Sequence, residues 1–305
     1  MRESEEKKSS KPSFLTDLLL GGISGTIAKT ASAPLERVKL LLQTQHSNSQ
    51  LTGNQFKGLL DCTYRIWKTE GFFSFWRGNW PNVIRYFPTT AFNFAFKDKL
   101  TRLINRFDAK ENPYKFFLAS LVSGGLAGVG STLIVHPLEL ARTRLGVDVG
   151  SKNQTQFRSM THCLSSIYTS NGPVGLYQGL GASLVSIFTY RAMYFGSWDT
   201  AKAKIEDFES LNLLIRLMLA QTITTVSETI NYPLDTIRRR MMMNAGLSEK
   251  LYSNSLVCAR RILRDEGIKG FYKGCASNAV RSVSSSVVLV IYDELTKTYR
   301  RTLRN

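Results

Sequence analysis

Three times along the chain, an apolar run, a short amphipathic run and a second apolar run follow one another. The first set occupies residues 14–45, 56–69 and 79–104, the second 114–145, 157–169 and 180–205, and the third 211–243, 254–264 and 276–299. Helical periodicity predicts a helix for each run. The longer ones reach the roughly 20 residues that a hydrocarbon core requires, yet every one carries polar or charged positions. The pattern predicts an all-α membrane protein of six transmembrane helices in three pseudo-threefold repeats, with short amphipathic helices on one side. One face of each span would meet lipid and the other would line a wet interior. Six buried helices of a large soluble bundle is the competing arrangement, and it suits polar residues inside long Gly-rich runs less well. Small residues for close helix contact occur at Gly21, Gly22 and Gly25 and at Gly124, Gly125 and Gly128; Ala220, Thr224 and Thr225 serve this less well in the third repeat.

Chemical markers recur in the same phase. A proline, an acid two residues on and a base three further on appear as Pro34-Glu36-Lys39, Pro137-Glu139-Arg142 and Pro233-Asp235-Arg238. A glycine–aromatic–glycine return follows each: Gly71-Trp76-Gly78, Gly172-Tyr177-Gly179 and Gly267-Tyr272-Gly274. Single cysteines (Cys62, Cys163, Cys258) and aromatic–acid pairs (Phe96 with Asp98, Trp198 with Asp199, Tyr292 with Asp293) keep step. This divides the chain into repeats at 14–108, 109–208 and 209–305, forming one integral membrane domain. Residues 1–13 mix acids and lysines around no apolar segment and read as a disordered tail, neither a secretory signal nor a transit peptide.

Charge then narrows the function. Lys and Arg number 40 against 23 Asp and Glu, a formal net charge of +17, which calls for an anionic partner. A nucleic-acid-binding protein would gather that charge on one exposed face with interleaved aromatics; here bases recur at fixed phases in apolar helices. No nucleophile–base pair or metal constellation indicates an enzyme, and no cofactor is expected. Four cysteines form neither a disulfide framework nor a zinc signature, and the repeated three read as packed thiols. Lys29, Arg85, Arg191 and Arg281 are bases inside apolar runs and so are functional candidates by default. The run Arg238-Arg239-Arg240-Met241-Met242-Met243 offers fork-like phosphate donors; an interfacial cluster meeting lipid head groups would have the same composition.

These markers resemble the mitochondrial carrier family over essentially the whole chain beyond the tail. The arginine–methionine run matches the signature of its ADP/ATP carriers, as do Glu36-Arg37-Val38-Lys39 with Gln43, and Asn82 through Thr89. The resemblance implies a monomeric ADP/ATP antiporter of the mitochondrial inner membrane, with the cardiolipin-type anionic phospholipid as lipid partner. It implies that Lys29, Arg85 and Arg281 bind phosphates, that Lys97 assists near the cytosolic mouth, and that Tyr190, Ile187 and Ser186 face the adenine. Arg191, Asn231 and Arg238 complete the set of candidate substrate-binding residues. It further implies a matrix gate of pairs between repeats: Glu36 with Arg142, Glu139 with Arg238, and Asp235 with Lys39, braced by Gln43. The opposite gate would use Asp98, Asp199, Lys202 and Asp293.

Several positions depart from the family pattern. Thr101 and Thr296 stand where the first and third cytosolic pairs need a base, so a weak cytosolic gate is expected. Glu228 replaces a small residue, Asn231 a serine and Ser186 a glycine. A carboxylate at 228 is expected to face the cavity and to oppose anion binding unless paired. Asn171 and Gln178 replace the usual acid and base of the second repeat. These departures keep a carrier of the same fold for another nucleotide or phosphate-bearing anion as the alternative.

Overall fold

A computed structural model describes residues 14–104, 113–150, 155–205, 212–247, 249–278 and 280–281. The helices in chain order are α1 (Phe14–Thr44), α2 (Leu59–Glu70), α3 (Asn79–Ile104), α4 (Pro113–Gly146), α5 (Met160–Gly175), α6 (Leu180–Lys204), α7 (Leu213–Met242), α8 (Ser255–Glu266) and α9 (Ile268–Phe271). Among the described residues no strand occurs. The third apolar run of the last repeat is helical at 275–278 and 280–281; the remainder lies outside the described residues. Bounds fall within a few residues of those predicted, except that α5 continues past Thr169, across a break at Gly172 (φ 66°). The 3-10 turns Gln45–Ser47, Ser49–Leu51 and Phe72–Trp76 carried no periodicity from which to read them.

Local chemistry sets the amphipathic helices. Ser159 Oγ accepts from His162 N at the start of α5, and Asn254 Oδ1 accepts from Val257 N at the start of α8, the N-cap arrangement. Gly71 and Gly267, both at positive φ, end α2 and α8, where a left-handed residue satisfies the last carbonyls.

Pro34, Pro137 and Pro233 lie inside α1, α4 and α7. Each removes one helical donor, and neighbouring groups meet the exposed backbone. Trp76 Nε1 donates to Thr30 O at 2.9 Å, the carbonyl that Pro34 leaves unpaired. In the later repeats the ring before the proline reaches the return instead: His136 Nε2 bonds Gln178 O at 3.0 Å, and Tyr232 Oη donates to Lys273 O at 2.9 Å. Those rings lie parallel to Tyr177 and Tyr272.

The second glycine of each return joins its repeat to the next. Gly78, Gly179 and Gly274 have φ of 83°, 80° and 83°. A Cβ on them would stand 3.1, 3.1 and 3.0 Å from the carbonyl oxygens of Arg142, Arg238 and Lys39 respectively. Those are the bases of the three proline words. The cyclic order (first repeat on second, second on third, third on first) gives the threefold arrangement a steric reason, because only glycine fits both the left-handed backbone and the close approach.

Three apolar clusters lie at this end. One gathers Val38, Leu41, Cys62 and Ile66, the next Leu140, Leu145, Cys163 and Ile167, the third Tyr252, Cys258 and Ile262. Farther along the long helices the pattern inverts. Leu118, Val122, Leu126 and Leu133 on α4, and Ile215, Met218, Val226 and Ile230 on α7, are exposed, while charged residues point inward. The helices of 25 to 34 residues rise roughly 40–50 Å. No helix among the described residues is long and apolar enough to cross a membrane; the inward polar positions lower the hydropathy of every window.

Candidate functional site

A cavity of about 250 Å³ lies between the long helices, with Lys29, Ser186, Ile187, Tyr190, Asn231 and Arg281 on its wall. Glu36, Lys39, Asp235 and Arg238 line its floor. The site therefore draws on all three repeats, through α1, α6, α7 and the start of the last helix. Proline words supply the floor; on the wall, Lys29 and Asn231 precede those words on α1 and α7, while Ser186, Ile187, Tyr190 and Arg281 lie two to three turns beyond a glycine return.

The floor is a set of ion pairs between repeats. Arg142 pairs with Glu36 and Arg238 with Glu139 in close contact, while Lys39 Nζ stands 3.0 Å from Asp235 Oδ2. Glu36 and Lys39, three apart on one helix, do not need each other. Gln43 Nε2, fully buried, donates to Asp235 Oδ2 at 3.2 Å and to Thr236 Oγ1 at 2.9 Å. Removing such charges from water is costly, so the pairs give the closure little net strength while an unpaired member would be penalised. A closure of this kind opens for a modest input of binding energy.

The arginine–methionine run divides its work. Arg238 serves the ring. Arg239 donates to Thr143 Oγ1 at 2.7 Å and lies 3.5 Å from Glu139 and 3.6 Å from Asp235. Arg240, buried, holds Glu266 with two guanidinium nitrogens and donates to Gln43 O at 3.2 Å. The methionines separate by repeat: Met243 enters the first apolar cluster, Met242 the second and Met241 the third. Successive side chains leave a helix about 100° apart, so three adjacent methionines reach three different cores. In this structure the run ties the end of α7 to all three repeats.

Beyond the ring, Arg37 and Arg77 meet Glu70 at 2.9 Å each, and Lys273 meets Glu266 at 2.8 Å. Although burial pushes the Glu266 carboxyl upward, hydrogen bonds from Arg240 and Lys273 keep it below the ordinary range. Burial and the neighbouring Lys273 and Arg240 lower His46 despite nearby Glu266, and its Nε2 lies within hydrogen-bond distance of Lys273 Nζ. In the second repeat Asn171 replaces the acid and bonds backbone instead, at Gly246 N and Leu247 O. Burial pushes the thiols of Cys62, Cys163 and Cys258 up to about 12, which keeps them protonated and unreactive.

Arg85, half-buried on α3, bonds Asn82 Oδ1 at 3.4 Å and keeps an unpartnered Nε. Arg191 packs against α4, where a Cβ on Gly128 would lie 3.0 Å from its Cζ. Lys97, Asp98, Thr101, Asp199 and Lys202 lie on helices whose backbone is described, but their side chains are outside the description, and Asp293 and Thr296 are outside the described residues. The departures fall together. Asn231 Nδ2 donates to Ser186 Oγ at 2.9 Å. Glu228 lines the cavity and pairs with Arg281 at 3.0 Å. Asn278 and Asn82, neither of them a site candidate from the sequence, join the floor. Asn278 Oδ1 accepts from Lys39 at 2.9 Å, and Asn82 Nδ2 donates to Glu36 at 3.3 Å. Each asparagine precedes an arginine of the predicted substrate set, Arg281 or Arg85, by three residues and so shares its helical face, a signal available in the chain.

A polar, basic cavity between long helices, three of them carrying an internal proline, closed at one end by pairs that link successive repeats, is the architecture of a carrier for a small anion. Comparison with known proteins agrees. The mitochondrial carrier protein family matches residues 10–108, 114–208 and 209–303, and the chain belongs to that family. It is 49% identical over 297 residues to a mitochondrial substrate carrier family protein of Dictyostelium discoideum, covering 96% of each chain. It is 49% identical to ADP/ATP translocase 2 of Bos taurus over 93% of this chain and 97% of that one. Against an ADP,ATP carrier protein of Parachlorella kessleri the identity is 46%, over 96% of this chain and 87% of that one.

Proposed function

We propose that this chain exchanges ADP for ATP across the mitochondrial inner membrane, as a multi-pass monomer working by alternating access without covalent chemistry. The observation that carries the reading is the cavity in which Lys29 and Arg281 stand beside Tyr190, directly above the inter-repeat ion pairs. Guanidinium and ammonium groups there suit phosphates, and a tyrosine ring offers a stacking face to a base. The names of the relatives support the choice of nucleotide.

In this reading Arg85, Arg191 and Lys97 extend the phosphate path, and Asp98, Asp199, Lys202 and Asp293 form the opposite, weaker gate. ATP carries about one more negative charge than ADP, so exchange follows the membrane potential at about 2.3 kcal/mol per 100 mV. The basic matrix side suits a cardiolipin-type lipid. The Glu228–Arg281 and Asn231–Ser186 contacts favour a second reading, a preference for another nucleotide. Uptake of labelled ADP, ATP and other nucleotides into liposomes preloaded with each in turn separates the two. ADP and ATP are expected to dominate; dominance of another anion would replace the first reading by the second.

A further inference from the structure

The cavity holds an anion of its own. Glu228, on α7, faces Arg281 on the last helix with Nη2 at 3.0 Å from Oε1 and 3.1 Å from Oε2. Its Oε2 also accepts from Asn278 Nδ2 at 2.8 Å. The other end of that amide, Oδ1, accepts from Lys39 Nζ at 2.9 Å, and Lys39 is the base that pairs with Asp235 on the floor. A single asparagine thus separates the Glu228 carboxylate from a gate lysine. The Arg281 and Glu228 side chains are 13% and 23% exposed, so the pair is screened less than a surface one.

We propose that Glu228 is a specificity-determining residue of this cavity, a tethered carboxylate that occupies Arg281 until a substrate phosphate displaces it and that then competes with Asp235 for Lys39. The inference rests on the nucleotide-exchange reading above. Its chemistry is that of one anion exchanged for another. A phosphate offers Arg281 the same two-oxygen face that the carboxylate does. Anions lacking a phosphate or a comparably charged group gain too little from Arg281 to displace an internal partner, so the pair screens solutes by charge. Once released, the carboxylate lies one amide from Lys39. Moving that lysine off Asp235 loosens the floor, which links arrival of the phosphate to opening of the gate.

The two roles of Glu228 pull the kinetic constants in different directions. Glu228→Gln removes the competitor and the acceptor for Lys39 together. In proteoliposomes, KM for ADP is expected to fall about tenfold, equivalent to about 1.4 kcal/mol, while the maximal exchange rate falls at least several-fold. Glu228→Asp keeps the charge and should restore most of both constants. Asn278→Ala leaves the Glu228–Arg281 pair in place and should lower the rate with little change in KM, which provides a second test if Glu228→Gln is poorly folded. A purely structural role would lower the amount of active protein and leave KM where it was. Wild-type protein that exchanges no nucleotide would remove the underlying reading. Wild-type exchange with KM unchanged in both Glu228→Gln and Glu228→Asp would remove this inference alone.

Discussion

Asp235 is the member of the floor whose loss should be felt most widely. Its carboxylate lies 3.0 Å from Lys39, 3.6 Å from Arg239 and 3.9 Å from Arg238, and accepts from Gln43 at 3.2 Å. Asp235→Asn preserves the shape and withdraws the charge, leaving three bases with one fewer anion. Breaking a buried pair from one side costs about 3–5 kcal/mol. Two contacts soften that figure here: Lys39 keeps its hydrogen bond to Asn278 and its place over the Tyr232 ring, 5.0 Å from the centroid, the latter worth about 0.5–1 kcal/mol. The closed floor should therefore lose about 2–4 kcal/mol, and the ratio of closed to open forms should shift by roughly 30- to 700-fold. Thermal unfolding of purified protein should move to lower temperature, and exchange in proteoliposomes should fall below about a tenth of wild type. Asp235→Glu, which keeps the charge, should recover a large part of both. An Asp235→Asn protein with unaltered melting and unaltered exchange would refute the reasoning.

Three further outcomes follow from the packing around the ion-pair end of the helices. Met242→Ala, at a fully buried side chain in the second apolar cluster, should cost about 2–5 kcal/mol, read as a lowered Tm, while Met242→Leu should cost under about 1.5 kcal/mol. Gly179→Ala meets both a φ of 80° and a Cβ contact 3.1 Å from Arg238 O; it should lower Tm by more than Gly181→Ala, where a Cβ enters open space. Glu266 is held below its ordinary value of 4.5, so its stabilisation is complete at neutral pH and is lost as pH falls below about 4.5. Glu266→Gln should lower Tm at pH 7, and its melting should converge with wild type towards pH 3.

The repeated architecture was legible because its markers are local. A proline, acid and base within six residues, and a glycine return some 35 residues later, need no knowledge of neighbours. Partners across repeats are a different matter. Arg37 of one proline word contacts backbone at Gly146 and Asp148 of the next repeat, and nothing in the spacing distinguishes it from a surface arginine. Met241, Met242 and Met243 read as one block of signature, whereas rotation about the helix sends each to a different cluster. The departures at Glu228, Asn231 and Ser186 looked separate in sequence because their partners lie 45 or 53 residues away; only the fold shows them occupied by one another or by Arg281. Asn278 and Asn82 were readable from their i,i+3 relation to Arg281 and Arg85, yet asparagine in an apolar run gives no charge to attract notice.

The proposed activity is coupled exchange of adenine nucleotides through the basic cavity. Its most direct measurement is uptake of labelled ADP by proteoliposomes loaded with ATP, ADP or no nucleotide, with and without an imposed potential. Uptake that requires internal ADP or ATP, responds to the potential when ADP meets ATP, and is lost in Lys29→Ala and Arg281→Ala proteins is the predicted result. Uptake independent of internal nucleotide, or no exchange by protein that is folded and inserted, would contradict the account.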